Sequence, residues 1–352
     1  MDNAEYARRR ETLMHHVGAD GIAVLAAAPE RPRNRDVHHP YRQDSDFLYL
    51  TGFQEPQAVA VLVPGRAQGE YILFSRERDP ERETWEGRTI GQEAAVRDYG
   101  ADDAFPIDDI DEILPGLMEG REKVYCAMGA DPAFDQRLIG WVNALRSRAR
   151  AGVKAPLEYV SLEHVLHEMR LVKSRAEATR MREAARLTAA AHRRLLEVIR
   201  PGMKEYEVEA ELLYDFRRHN GEPAYPIIAG SGANACVLHY VANNAELRAG
   251  ELILIDAGIE LEGYAADITR TLPVSGRFSA EQRAVYEVVL DAQRAALARV
   301  APGEHWNAGH EAATRVLVEG MVELGLLRGE VDDLIANGDY RRFFMHRTGH
   351  WL

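Results

Sequence analysis

The chain has 352 residues, 46% of them hydrophobic, a length expected to divide into two domains rather than close around one core. Its 56 acidic residues outnumber 43 lysines and arginines, and the formal net charge of -13 repels a phosphate backbone on average, which argues against nonspecific nucleic-acid binding while leaving local basic patches open. Cys126 and Cys236 stand outside any CxxC pattern, so they indicate neither a disulfide scaffold nor a zinc-thiolate site and read as buried free thiols.

The opening, Met1 to Leu13, is polar and charged, and the apolar run Gly21 to Ala28 is too short for a membrane span. A cytoplasmic protein with no membrane partner is expected. As far as Leu166, short apolar strands (Gly21 to Ala27, Ala58 to Val63, Tyr71 to Phe74, Lys123 to Met128) alternate with helical stretches, an α/β pattern. Neither GxGxxG nor GxxxxGK[ST] occurs, so no nucleotide cradle is indicated. The acidic runs Glu77 to Glu83 and Asp108 to Glu112 and the basic run Arg146 to Arg150 read as solvated surface. Trp85, in TWEGRTIGQ, falls in a charged loop and has two readings. It is either a half-buried packing residue, which the sequence slightly favours, or an aromatic wall presented to a substrate or partner.

Beyond Met169 the pattern changes to long helices. Ser174 to Ile199 carries Ala, Met and Leu at helical spacing and stops at Pro201-Gly202; a second helix from about Glu205 to His219 stops at Asn220-Gly221. Two strands are expected next, in the segment from Tyr225 to Tyr240 that contains Gly230-Ser231-Gly232 and His239.

The stretch Leu252 to Val274, LILIDAGIELEGYAADITRTLPV, reads as a β-hairpin with Glu262 and Gly263 at its tip. With Leu261 facing Tyr264, Asp267 opposes Gly258 and Asp256 lies one diagonal pair away on the same face. Diagonal neighbours stand roughly 7 to 8 Å apart at the backbone, near enough for two carboxylates to converge on one centre. Carboxylates inside apolar strands are costly to desolvate, two like charges more so, and a divalent cation removes both penalties. The competing reading is a solvated hairpin with two ordinary surface acids. Leu252, Ile253, Leu254 and Ile255 speak against it, because a run without polar alternation suggests burial on both faces.

Ser279 with Gln282 three residues later is a capping box that opens a helix to about Val300, stopped by Pro302-Gly303. Another helix follows from about Asn307 to Leu326. Helix, Pro-Gly, helix is thus repeated at an offset of roughly 100 residues, and the second copy lacks the strands of the first. A sheet edge and inner face are therefore expected to be left uncovered, either because the chain is incomplete or because the covering surface comes from elsewhere.

Five segments together resemble one family: YRQDSDFLYLTGFQEPQAV from Tyr41, HEMRLVKS from His167, VLHY ending at Tyr240, LIDAGIELEGYAADITRT, and FFMHRTGHWL. The chain is similar over its whole length to the Xaa-Pro aminopeptidases (aminopeptidase P) of the pita-bread metallopeptidase superfamily. The resemblance implies an α/β creatinase-like N-terminal domain, 1–168, and an α+β pita-bread catalytic domain, 169–352, the latter incomplete at its C-terminus. It implies removal of an N-terminal residue that precedes proline, by a hydroxide bridging two divalent ions, usually manganese. Asp256 would ligate one ion, Asp267 would bridge both and His350 would ligate the other. His239 and His346 resemble histidines that contact the substrate and the tetrahedral intermediate, and Tyr225 resembles a pocket-lining residue, with Trp85 as a second candidate for substrate contact. Peptides with proline second are the implied partners, and a homodimer or homotetramer the implied assembly.

Two departures stand out. Arg347 occupies a position where the family has glycine, so a cation is expected beside the metals, and the family's two glutamate ligands lie downstream of His350. Three ligands where five are usual give a second expectation: a truncated, catalytically inactive member that binds metal, peptide or another protein.

Overall fold

The computed structural model describes residues 1–350, and the chain divides into two compact units, Met1–Ala176 and Glu177–Leu352. The first is built on helix α1 (Asn3–Val17) and a six-stranded sheet. Its strands are β1 (Gly21–Ala26), β4 (Val59–Leu62), β5 (Tyr71–Ser75), β6 (Asp103–Pro106), β7 (Lys123–Cys126) and β8 (Glu158–Ser161). A small ribbon, β2 (Pro32–Asn34) with β3 (Val37–His38), stands apart. The order is β6-β5-β4-β1-β7-β8, with β4 antiparallel to both neighbours and the other pairs parallel.

Successive side chains go to opposite faces. Ala23, Leu25, Ala60, Leu62 and Leu73 therefore enter one core, and Ile22, Val24, Val59, Val61 and Ile72 enter another. Helices α2 (Ser45–Thr51), α3 (Pro80–Glu86), α4 (Gly91–Tyr99), α5 (Ile110–Met118), α6 (Pro132–Ser147) and α7 (Leu162–Leu171) complete the unit. The strands legible in the sequence are the four inner ones. The edge strands β6 and β8 carry half-buried or exposed residues and no apolar run to mark them.

The division between units falls in the first turn of α8 (Arg175–Val198), and position 168 lies within α7. After α8 and α9 (Glu205–Arg218) come β9 (Glu222–Pro223), β10 (Ile228–Ser231), β11 (Leu252–Ala257), β12 (Ile259–Leu261), β13 (Tyr264–Ala265) and β14 (Ile268–Pro273). They form two three-stranded antiparallel sheets, β10-β11-β14 and β13-β12-β9.

The register expected from the hairpin tip holds along the ribbon: Leu261 faces Tyr264, Ala257 faces Ile268 and Asp256 faces Thr269. Glu262 (φ 51) and Gly263 (φ 84) are both left-handed, the conformation of a two-residue type I′ turn. The expected burial of β11 on both faces is corrected. Ile253, Ile255 and Ala257 are buried, while Leu252, Leu254 and Asp256 are only half-buried. Helices α8 and α9, through Leu187, Ala191, Leu195, Val208, Leu212 and Phe216, pack into the core against the inward residues alone.

Of the two strands expected between Tyr225 and Tyr240, one forms, β10; Gly232–Cys236 is a 3-10 turn and the remainder is irregular. The capping box is present, with Ser279 Oγ accepting from Gln282 N at 3.2 Å and Gln282 Oε1 accepting from Ser279 N at 2.9 Å. It opens α10 (Ala280–Ala298), which packs on α11 (Ala308–Glu323) through Ala292, Ala296 and Ala313. Where strands follow α9, helix α12 (Val331–Asn337) follows α11. Among the described residues, no helix is long and apolar enough to cross a membrane.

Candidate active site

Asp256, half-buried, sits near the end of β11, and Asp267, exposed, immediately before β14, and the register places both on one face of the ribbon. Tyr225, in the segment between β9 and β10, reaches both. Its hydroxyl lies 2.7 Å from Asp256 Oδ1 and 2.9 Å from Asp267 Oδ1. A phenol has one proton, so it can donate to only one of these carboxylates at a time. Burial, reinforced by Asp256 and then Asp267, raises the Tyr225 pKa far above its ordinary value, and the group stays a protonated donor. On the other side of Asp267, His350 Nε2 approaches Oδ2 at 3.3 Å.

Two carboxylates and an imidazole are a hard, oxygen-rich donor set suited to a divalent ion. The fit is also electrostatic, since the two carboxylates converge on one phenolic hydroxyl, which carries a single proton. Among the described residues, no three His, Cys, Asp or Glu side chains are yet close enough to hold an ion by themselves; the Tyr225 hydroxyl lies between the two acids.

His239 is exposed on the irregular segment after β10. His346 is exposed, its Nδ1 2.8 Å from the Arg347 carbonyl and its ring edge-on to Phe344 at 5.0 Å. The guanidinium of Arg347, expected beside the metals, donates to the Asn307 side chain ahead of α11. Together with Arg299, Glu304, Trp306 and His310 it lines a cavity of about 260 Å³.

Trp85 belongs to the first unit and is 87% exposed, which removes the packing reading. It lies on helix α3 rather than in a loop, because Asp79 accepts from Glu81 N and Arg82 N and Pro80 begins the first turn. Of the two thiols, Cys126 is buried and pushed up to about 11 by burial, whereas Cys236 is exposed, contrary to expectation.

Several polar side chains around the ribbon escaped the sequence reading. His192 on α8 is buried beneath β11, with Nε2 3.3 Å from the Ala257 carbonyl, and Thr188 one turn earlier accepts from Ile259 N at 3.1 Å. Their spacing with Ala184, Ala191 and Leu195 on the inward face of α8 was the available signal. Glu205 and Asn243, buried behind the His239 segment, left no comparable mark.

Residues 179–352 match the model of metallopeptidase family M24, and residues 6–125 match the aminopeptidase P N-terminal domain. The Xaa-Pro aminopeptidase of Escherichia coli K12 is 43% identical over 350 residues, spanning 99% of this chain and 79% of that protein. The solved Pseudomonas aeruginosa aminopeptidase PepP superimposes with a TM-score of 0.99 at 58% identity, covering all of this chain and 80% of that one. A variant of Escherichia coli aminopeptidase P, solved in complex with substrate, gives 0.97 at 42% identity, with 100% and 80% covered. The chain therefore belongs to the aminopeptidase P family of metallopeptidases, its aminopeptidase P N-terminal domain followed by a pita-bread M24 domain. Membership of M24 implies divalent metal ions in the second domain.

Proposed function

We propose that this protein hydrolyses the bond between an N-terminal residue and a following proline, using two divalent ions, manganese by expectation, held by Asp256, Asp267 and His350. The observation that carries the reading is the convergence of Asp256 and Asp267 on the Tyr225 hydroxyl, with His350 against the remaining oxygen of Asp267. In this reading Asp256 would serve one ion, His350 the other, and Asp267 both. When bound, the ions would supply a water of lowered pKa and polarise the scissile carbonyl.

The chain's own groups do the rest. Tyr225 sets its hydroxyl between the two acids, donating to one of them, and its ring is assigned to the wall of the substrate pocket. His239 and His346, both exposed, are assigned to contacts with the peptide and the tetrahedral intermediate.

The test is calorimetric titration of manganese into the wild type and Asp267→Asn, paired with hydrolysis of an Arg-Pro-Pro peptide. Asp267→Asn is expected to weaken binding at least ~10-fold and to lower turnover at least ~100-fold, since it removes one carboxylate charge from the set. Equal binding in the two proteins would remove Asp267 from the metal site.

A further inference from the structure

The segment that carries His239 leaves the end of β10 at Ser231 and runs through a 3-10 turn and irregular chain to Ala245, and one buried carboxylate anchors it at several points. Glu205, the first residue of α9, is fully buried and accepts five hydrogen bonds from this segment. Oε1 receives Ser231 N at 2.7 Å, Ser231 Oγ at 2.8 Å and Asn234 Nδ2 at 3.2 Å. Oε2 receives Tyr240 OH at 2.7 Å and Ala245 N at 2.9 Å. The backbone closes the same contact, with Glu205 N donating to the Ala245 carbonyl at 3.0 Å.

Asn243 adds a second anchor. It is 2% exposed with a left-handed backbone (φ 43), accepts from Ala229 N at 3.1 Å, and donates to the Ile227 carbonyl at 2.8 Å and Glu209 Oε2 at 2.9 Å. The apolar residues of the segment contribute little fixation, since Val237, Leu238 and Val241 are each more than half exposed. His239 is the residue before Tyr240, whose hydroxyl ends on Glu205.

A carboxylate in the first turn of a helix also suits the helix dipole, but that requires no burial and no partners 26 to 40 residues away. Burying the charge is tolerable because every contact is a donor. Burial pushes the Glu205 carboxyl up, and the donors from Ser231, Tyr240 and Ala245 outweigh it, leaving the group below its ordinary value of 4.5.

We propose that Glu205 is a positioning residue that, through Tyr240, holds His239 in place for substrate. This rests on the peptide-contact role given to His239 above.

The experiment uses Glu205→Gln and the milder Tyr240→Phe, each alone and combined with His239→Ala. Hydrogen exchange of residues 231–245 is expected to quicken ~10-fold or more in both single variants, with β11 and β14 unaffected. Manganese affinity should stay within about 2-fold of wild type, since the proposed metal-binding acids lie on β11 and immediately before β14, while kcat on the Arg-Pro-Pro peptide falls ~10-fold. KM should change less than kcat. In the His239→Ala background the same substitutions should lower kcat no further, the non-additivity of residues acting as one unit. Unchanged exchange in both variants, loss of manganese binding together with kcat, or a full extra loss in the His239→Ala background would overturn the proposal. If His239→Ala alone leaves turnover intact, the role given to His239 fails and the proposal falls with it, even where exchange shows Glu205 ordering the segment.

Discussion

Tyr225 and His192 bracket the paired acids from two sides, one through a hydroxyl and the other through the backbone of β11. His192 carries a pH prediction. Burial holds its imidazole below the ordinary 6.5, against the opposing effect of the Ala257 carbonyl; Arg270 also lowers it, and Asp256 and the Ile268 backbone raise it. Nδ1 is buried with no hydrogen-bond partner among the described residues, so a second proton would enter without an acceptor. The unfolded chain therefore binds a proton near pH 6.5 while the folded one resists. Stability is full above that value and is lost as pH falls through it toward the folded pKa. In chelator-treated protein, urea denaturation from about pH 7.5 to about 5.5 should show this decline, and His192→Gln should flatten it. His310, also lowered by burial and by Arg347, would leave a residual slope. An identical slope in His192→Gln would remove His192 as its source.

The acid-bearing ribbon depends on two glycines for different reasons. Gly263 turns the chain at φ 84, whereas Gly258 is needed for space: a Cβ there would lie 1.5 Å from the Ala266 carbonyl oxygen, across the ribbon and beside Asp267. A backbone atom cannot step aside as a flexible side chain can. Gly258→Ala is accordingly expected to force the ribbon apart, cost at least ~2 kcal/mol and misplace Asp267, with manganese affinity falling in parallel. Gly263→Ala, strained by the left-handed backbone at that position, should cost about 1 kcal/mol and leave the metal site nearly intact. Denaturation midpoints and manganese titrations of both variants read the two effects separately. A Gly258→Ala protein as stable as Gly263→Ala would show that the ribbon can relax around the methyl group.

At the scale of the molecule, the two units have separate cores. The six-stranded sheet is sandwiched between two clusters in the first unit, and α8 and α9 cover one face of β10-β11-β14 in the second. The proposed ligands Asp256, Asp267 and His350 all lie in the second unit. Manganese should therefore slow hydrogen exchange there, in β11 and β14 above all, and leave the six-stranded sheet of the first unit unchanged. A ligand at 100 times its Kd contributes about 2.7 kcal/mol to the state that binds it. Equal protection of both units would place a metal site, or its linkage, outside the ribbon.

The amino-acid order by itself determined the parts of this protein that are short-range. The type I′ tip at Glu262-Gly263 and the two-residue period of a strand fixed which residues face each other, and so put Asp256 and Asp267 on one face before any tertiary contact was known. The inner strands and the capped helices were legible for the same reason. Only the tertiary structure decided which half of β11 is buried, since that depends on α8 and α9 covering one face and not the other. It also turned Trp85 outward on a helix, moved the Arg347 guanidinium to Asn307 and gave Glu205 its five donors. Arg347 meets a partner 40 residues away, and the donors to Glu205 lie 26 to 40 residues away. No local period or turn encodes such distances; folding brings the groups together, and burial then makes each hydrogen bond necessary.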